Sequence, residues 1–199
     1  GVIHFKNVVT EPSGNDVWGH MYKSEYLYKA LKRGQIYPLY DETWYNGIQL
    51  YRYWPPLSYY ITALLMCFTG GNVINAYYLL FGVYIFFGGL AFLLIGRRIG
   101  RPVFGTALAV LWFFMPENAR MYIDEGNMPR MVVSFLLPYL IYFIWVYLRE
   151  EKRWALAGIL IFTMLITVTH IMMIAMIGIG TFLFLLFDHH RKMGIRRQV

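Results

Sequence analysis

Residues 74–98, INAYYLLFGVYIFFGGLAFLLIGRR, decide the fold: an apolar run from Ile74 to Ile95 ends at Arg97 and Arg98, with Arg101 close behind. The run meets the ~20 residues that a helix needs to cross the hydrocarbon core of a bilayer. Arginines directly after such a run mark its cytoplasmic end, because Lys and Arg are retained on that side. Working outward, the pattern repeats. Val103 to about Met115 rises again, Met131 to Leu148 descends, and Arg149, Lys152 and Arg153 follow. Ala155 to about Thr169 rises, Ile171 to Phe187 descends, and Arg191, Lys192, Arg196 and Arg197 close the series. The expectation is an all-α polytopic membrane protein with a transmembrane bundle of about five helices over 74–187 and a basic cytoplasmic tail over 188–199.

Composition agrees. The chain is 58% hydrophobic and 19% aromatic with 15% charged residues, far more apolar than a soluble domain. Its net charge of +7 does not imply nucleic acid, because ten of the eighteen Lys and Arg residues lie in the three clusters at helix ends. Cys67 is the only cysteine, which rules out an intrachain disulfide and reads as a small apolar residue. The chain starts at Gly1 without signal-peptide features, and a spanning helix is expected before it.

Residues 1–56 contain no spanning run. Asp16 stands where it can cap a helix from about Val17 to Arg33, with Lys32 and Arg33 complementing the C-terminal dipole and Gly34 ending it. This helix is expected on the membrane surface, followed by an ordered Tyr- and Trp-rich loop in the headgroup layer. The run from Leu57 is too short to cross, so residues 57–73 read as a re-entrant or interfacial helix ended by Gly70 and Gly71. The topology puts residues 1–73, the loop 116–130 and His170 on the outer face. Eight of the eleven acidic residues then lie outside: Glu11, Asp16, Glu25, Asp41, Glu42, Glu117, Asp124 and Glu125. Several segments too short to span imply a water-filled outer recess.

The chemistry concentrates in MPENARMYIDEGNMPR, residues 115–130. Carboxylates beside membrane segments normally face a cavity, a metal or a substrate. Asp124, Glu125 and Asn127 offer hard oxygen ligands suited to Mg²⁺ or Mn²⁺. Arg120 and Arg130 suit a phosphate through charge-assisted hydrogen bonds; a solvated loop with local ion pairs is the bland alternative. Asp16 serves equally as a helix cap or as a catalytic carboxylate. His20, four residues on, shares its helical face and is placed to orient Asp16 or to join a metal site. Tyr22, Trp44 and Trp54 are candidates for contact with a sugar or a lipid, against a background reading as packing and interfacial belt. His170, at an outer helix junction, is a better site candidate than His189 or His190, which sit among basic residues facing lipid headgroups.

These residues resemble a known family. An outer Asp at the start of a surface helix, an aromatic loop ending in Tyr-Trp-Pro-Pro-Leu, a short helix, two spans joined by an Arg-rich turn and an acidic outer loop are similar to the N-terminal module of the class C membrane glycosyltransferases, including the oligosaccharyltransferase catalytic subunits. DVWGHMYKSEYLYKALKRGQIYPLYDETWYNG is similar to their first outer loop, whose catalytic, metal-binding Asp falls on Asp16. MYIDEGNMPR is similar to their second acidic loop, which falls on Asp124 and Glu125. In texture the chain is nearest to archaeal and bacterial membrane proteins labelled 6-pyruvoyl-tetrahydropterin synthase-related, although it has no three-His zinc pattern. The family's first helix and its acceptor-binding helices have no counterpart in this stretch.

The resemblance implies a GT-C-like helix bundle with a large outer loop bearing surface helices, in a multi-pass cell-membrane protein. It implies transfer of a sugar from a polyprenyl-phosphate-linked donor to an acceptor at the outer face. Asp16 and Glu125 are then catalytic, Arg120, Arg130, Trp44 and Tyr22 bind substrate, and Asp16, Asp124, Glu125 and His20 hold Mg²⁺ or Mn²⁺. The partners are the lipid-linked donor, membrane lipids and other membrane subunits, with no nucleic acid. The competing expectation is a non-catalytic structural subunit of a larger membrane complex. A transporter fits less well, because the spans lack polar or broken mid-membrane segments.

Overall fold

The structure, a computed structural model, describes residues 12–196 and side chains to residue 187, so Glu11, Arg197 and the side chains of His189 and His190 lie outside the described residues. Among the described residues the regular elements are all helices, and the only β-pairing is an isolated bridge between Asp41 and Ile48 in the loop between the first two of them. The elements are α1 (Val17–Lys32), α2 (Leu50–Tyr53), α3 (Leu57–Phe68), α4 (Val73–Arg98), α5 (Pro102–Phe114), α6 (Pro116–Arg120), a π-helical turn (Met121–Glu125), α7 (Met128–Glu150), α8 (Ala155–Thr167) and α9 (Ile171–Arg196).

Two of these, α4 and α7, are long and apolar enough to cross a membrane, at 26 and 23 residues. Side chains fix both starts: Asn72 accepts from the Asn75 N–H and Asn127 from the Arg130 N–H. By contrast α5 and α8 have 13 residues each, and at 1.5 Å per residue they reach about 20 Å, short of the ~30 Å hydrocarbon core. Helix α9 runs on to Arg196 rather than stopping at Phe187, so most of the expected basic tail is helical. Two short helices, α2 and α6, were not foreseen, and the acidic loop is a helical turn rather than irregular chain.

The helices pack as neighbours: α4 on α5 and α7, α8 on α7 and α9, and the surface pair α1 and α3 on α4. A core of Tyr77, Leu80, Tyr84, Phe113, Tyr122, Met131 and Ile166 joins α4, α5, α7 and α8. Where α4 turns into α5, Gly96 and Gly105 let the backbones touch: a Cβ on Gly105 would lie 2.5 Å from the Phe92 carbonyl oxygen. Arg98 and Glu150 form a bidentate pair, so the basic ends of α4 and α7 share one end of the molecule. At the other end Leu57 N–H donates to the Val168 carbonyl, and residues 13–16 meet residues 123–127.

This packing predicts a contrast between two glycines. Gly105→Val must separate α4 from α5 and should cost about 1–3 kcal/mol, the scale of overpacking, read as a lowered thermal midpoint in detergent. Gly178→Ala on α9, where an added Cβ meets nothing within 4 Å, should leave the midpoint unchanged or slightly raised.

Candidate functional site

Segment 13–17 is clasped to the turn 123–126 by main chain. Asp16 N–H donates to the Glu125 carbonyl at 2.9 Å, Asn15 N–H to the Asp124 carbonyl at 3.3 Å, and Ser13 Oγ to the Ile123 carbonyl at 3.4 Å. The approach is close enough to require two glycines. A Cβ on Gly14, at φ +142°, would sit 2.7 Å from the Glu125 carbonyl group, and one on Gly126, at φ +65°, 2.5 Å from Val17 Cβ. The predicted capping role of Asp16 is corrected here: Asp16 occupies the N-cap position of α1, yet its side chain makes no capping bond. With its own N–H tied to Glu125, its carboxylate is exposed and receives Asn127 Nδ2 at 3.5 Å.

The turn is braced from behind. Glu117, Arg120, Glu125 and Arg130 close a ring of four ion pairs: Arg120 to Glu117 at 2.8 Å and to Glu125 at 2.7 Å, and Arg130 to Glu117 at 2.8 Å and to Glu125 at 2.5 Å. Hydrogen bonds from Arg120 and then Arg130 hold the Glu117 carboxyl down to about 2. A closed, charge-neutral network beside a π-helical turn rigidifies the loop.

Asp16 opens on a cleft of about 560 Å³. Asp16, His20 and Lys23, spaced i, i+4, i+7 on one face of α1, form one wall, Trp44, Tyr45, Tyr53 and Trp54 another, and Asn127, Thr169 and His170 a third. The aromatic wall is built deliberately. Asp41 is buried and receives Tyr22 Oη at 2.6 Å, Thr43 N–H at 2.9 Å and Thr43 Oγ1 at 2.7 Å. Its bridge to Ile48 closes a tight loop in which Tyr45 and Asn46 adopt φ of +51° and +59°. Left-handed backbone at an exposed tyrosine is strain of the kind that clusters at binding sites.

Both histidines are neutral. Burial, then Lys23 and His170, press His20 down to about 3, and its Nδ1 is paired with Tyr59 Oη at 2.9 Å. Burial first and Arg130 second lower His170, whose Nδ1 accepts the Met173 N–H, leaving the proton on Nε2. Lys23 Nζ lies 4.2 Å from the Trp54 ring centre and 4.8 Å from that of Trp44. Burial draws Lys23 down to about 8, against the pull of Asp16.

The two acidic segments thus come together as their chemistry suggested, but their side chains part company. Asp16, His20, Trp44, Trp54 and His170 line the cleft, while Tyr22, Arg120, Arg130, Asp124 and Glu125 are not among its lining residues. Tyr22 supports Asp41 and meets Trp44 edge-on at 4.8 Å. Arg120 and Arg130 are held by carboxylates, which leaves no free fork for a phosphate. The expected set Asp16, Asp124, Glu125 and His20 does not fit Mg²⁺ or Mn²⁺ as placed. Two guanidinium groups hold Glu125, a phenol holds buried His20, and among the described residues no group of three or more His, Cys, Asp or Glu converges. Lys23 was missed, although the i, i+4, i+7 spacing from Asp16 was the available signal.

The family profile described as "6-pyruvoyl-tetrahydropterin synthase related domain; membrane protein" matches residues 51–197. The chain belongs to this family. The match takes in Trp54, the acidic turn, His170 and both long apolar helices, whereas Asp16, His20, Lys23 and Trp44 precede it. No curated protein and no solved structure matches the chain. The chain is a membrane protein, and its cleft lies at the end of α4 and α7 opposite the basic clusters.

Two tests follow. Gly126→Ala forces both a strained φ and a collision with Val17, and should cost about 2 kcal/mol or more, with Trp44 and Trp54 emission shifting as the cleft opens. The pH test turns on Glu117, whose folded carboxyl sits below its ordinary 4.5, at about 2. Its contribution is therefore present above 4.5 and lost as pH falls toward 2. Thermal midpoints should drop across that window, and Glu117→Gln should flatten the drop.

Proposed function

We propose that this chain is the donor-binding module of a multi-pass, GT-C-like membrane glycosyltransferase that moves a sugar from a polyprenyl-phosphate-linked donor to an acceptor at the outer face. The supporting observation is the cleft's make-up: a carboxylate released from capping duty faces a wall of Trp44, Tyr45, Tyr53 and Trp54. Aromatic faces against carboxylate, amide and neutral imidazole groups suit a sugar ring, whose apolar face stacks while its hydroxyls hydrogen-bond.

In this reading the acceptor hydroxyl or amide attacks the anomeric carbon, the bond from that carbon to the phosphate oxygen breaks, and configuration inverts. Asp16 accepts the acceptor's proton, and the phosphate leaves with the bonding electron pair. Asn127 Nδ2 steadies Asp16, and the proton on His170 Nε2 is available to a sugar hydroxyl. Glu125 acts through the clasp, holding the turn that fixes Asp16, rather than touching substrate. No step runs through a metal.

Asp16→Asn retains the main-chain clasp and the shape of the cleft while removing the base. Sugar transfer by the full-length protein from a polyprenyl-phosphate donor should fall about 10²-fold or more, with an unchanged thermal midpoint. Wild-type rates in that variant would take Asp16 out of the mechanism. A wild-type protein that consumes no lipid-linked sugar but co-purifies with a stable membrane partner would favour a non-catalytic subunit. Topology is tested separately: on a Cys67→Ser background, cysteines at Asn46 and Lys152 should label from opposite sides of the membrane, and labelling from one side would refute the multi-pass arrangement.

A further inference from the structure

Lys23 is only 4% exposed, yet its side chain lines the cleft. Its ammonium carries three donors, and among the described residues the only hydrogen bond it makes is a long one of 3.4 Å to the Gly19 carbonyl of its own helix. The described ion pairs join other residues: Glu25 to Lys29, Arg98 to Glu150, and the ring of Glu117, Arg120, Glu125 and Arg130. Asp16 is near enough to act on Lys23 through space but is not paired with it. The indole faces of Trp44 and Trp54 stabilise the cation from the sides without using its donors. A buried ammonium with unspent donors is costly unless an anion completes it. Among the described residues no other lysine and no arginine lines the cleft, and both of its histidines are neutral.

We propose that Lys23 is the anion-binding residue of the cleft and that the anion is a single phosphoryl group, so that the lipid carrier holds its sugar through one phosphate rather than through a diphosphate. One cation matches one phosphoryl group. A second would enter a cleft that offers no further cation among the described residues and already contains Asp16, whose charge repels it. Lys23 thereby takes the place that Arg120 and Arg130 cannot fill, and it receives the negative charge that grows on the departing phosphate. The anion site stands on the cleft geometry alone, while its assignment to a sugar carrier rests on the function proposed above.

The test measures binding, not turnover. Full-length protein in phosphatidylcholine nanodiscs is titrated with undecaprenyl phosphate, undecaprenyl diphosphate and undecaprenol. The monophosphate should bind, the alcohol at least about tenfold more weakly, and the diphosphate no better than the monophosphate. Lys23→Met should lose about tenfold or more of the monophosphate affinity, and Lys23→Arg should restore most of it, which a merely structural role would not produce. The titratable groups that line the cleft with Lys23 are Asp16 and His20 from α1, Tyr45 and Tyr53 from the aromatic wall and His170 from the α8–α9 junction. With both histidines already neutral, affinity should decline as pH rises through about 8.

Equal monophosphate affinity in wild type and Lys23→Met, or tighter binding of the diphosphate, overturns the proposal. Loss of binding when phosphatidylglycerol replaces phosphatidylcholine assigns the site to an ordinary phospholipid headgroup and overturns the carrier assignment. Lys23-dependent binding without any sugar transfer would leave the anion site standing and remove the glycosyltransferase reading. Transfer that survives Lys23→Met would do the reverse.

Discussion

The hydrogen bond from Asp16 N–H to the Glu125 carbonyl is the constraint on which the cleft depends. A helix N-terminus leaves four N–H groups without partners, and an Asp at the N-cap normally turns its carboxylate back to satisfy one of them. Here Asp16 makes no such bond. The turn 123–126 instead supplies carbonyls to residues 13–16. The contact carries α1 against the end of α7 and turns an Asp carboxylate out toward the cleft. The Glu–Arg ring keeps the turn in shape from its far side, so Arg120, Glu125 and Arg130, which looked like ligands, act with Glu117 as a buttress.

Helix length sets where this can happen. A bundle with only long helices would fill the bilayer to both surfaces, whereas α5 and α8 stop short beside α4 and α7. The polar segment 13–56 folds over that end with the help of tyrosines: Tyr51 Oη donates to the Lys23 carbonyl, Tyr26 to that of Tyr40 and Tyr60 to that of Ile36. Irregular backbone beside a membrane is tolerated where protein groups satisfy it, and these phenols do so.

Much of the fold was legible because it rests on local signals. Apolar runs and the basic clusters after them gave α4, α5, α7, α8 and the start of α9 to within about three residues at each end, and Gly34 and Gly70 marked the ends of α1 and α3. The end of α9 was not legible, since residues 188–196 are polar yet continue the helix. The site was legible only in part. Sequence showed that Asp16 and the 124–125 pair belonged together, but not that main chain would join them. Proximity in three dimensions gave Arg120 and Arg130 to Glu117 and Glu125, and buried His20 to Tyr59. Beyond its spacing from Asp16, Lys23 carried no signal of its own in the sequence, because Trp44 and Trp54, which cover its ammonium, stand some twenty to thirty residues away.

The most direct measurement is an electron cryo-microscopy structure of the full-length protein with a polyprenyl-phosphate-linked sugar bound. The sugar should lie against Trp44 and Trp54, its phosphate on Lys23 Nζ, and the Asp16 carboxylate should face the anomeric carbon with the Asp16 N–H still on Glu125. Density for the ligand elsewhere, such as an apolar groove lined by Leu140 and Ile144 of α7 and Ile177 and Phe184 of α9, with Asp16 turned back to cap α1, would contradict this.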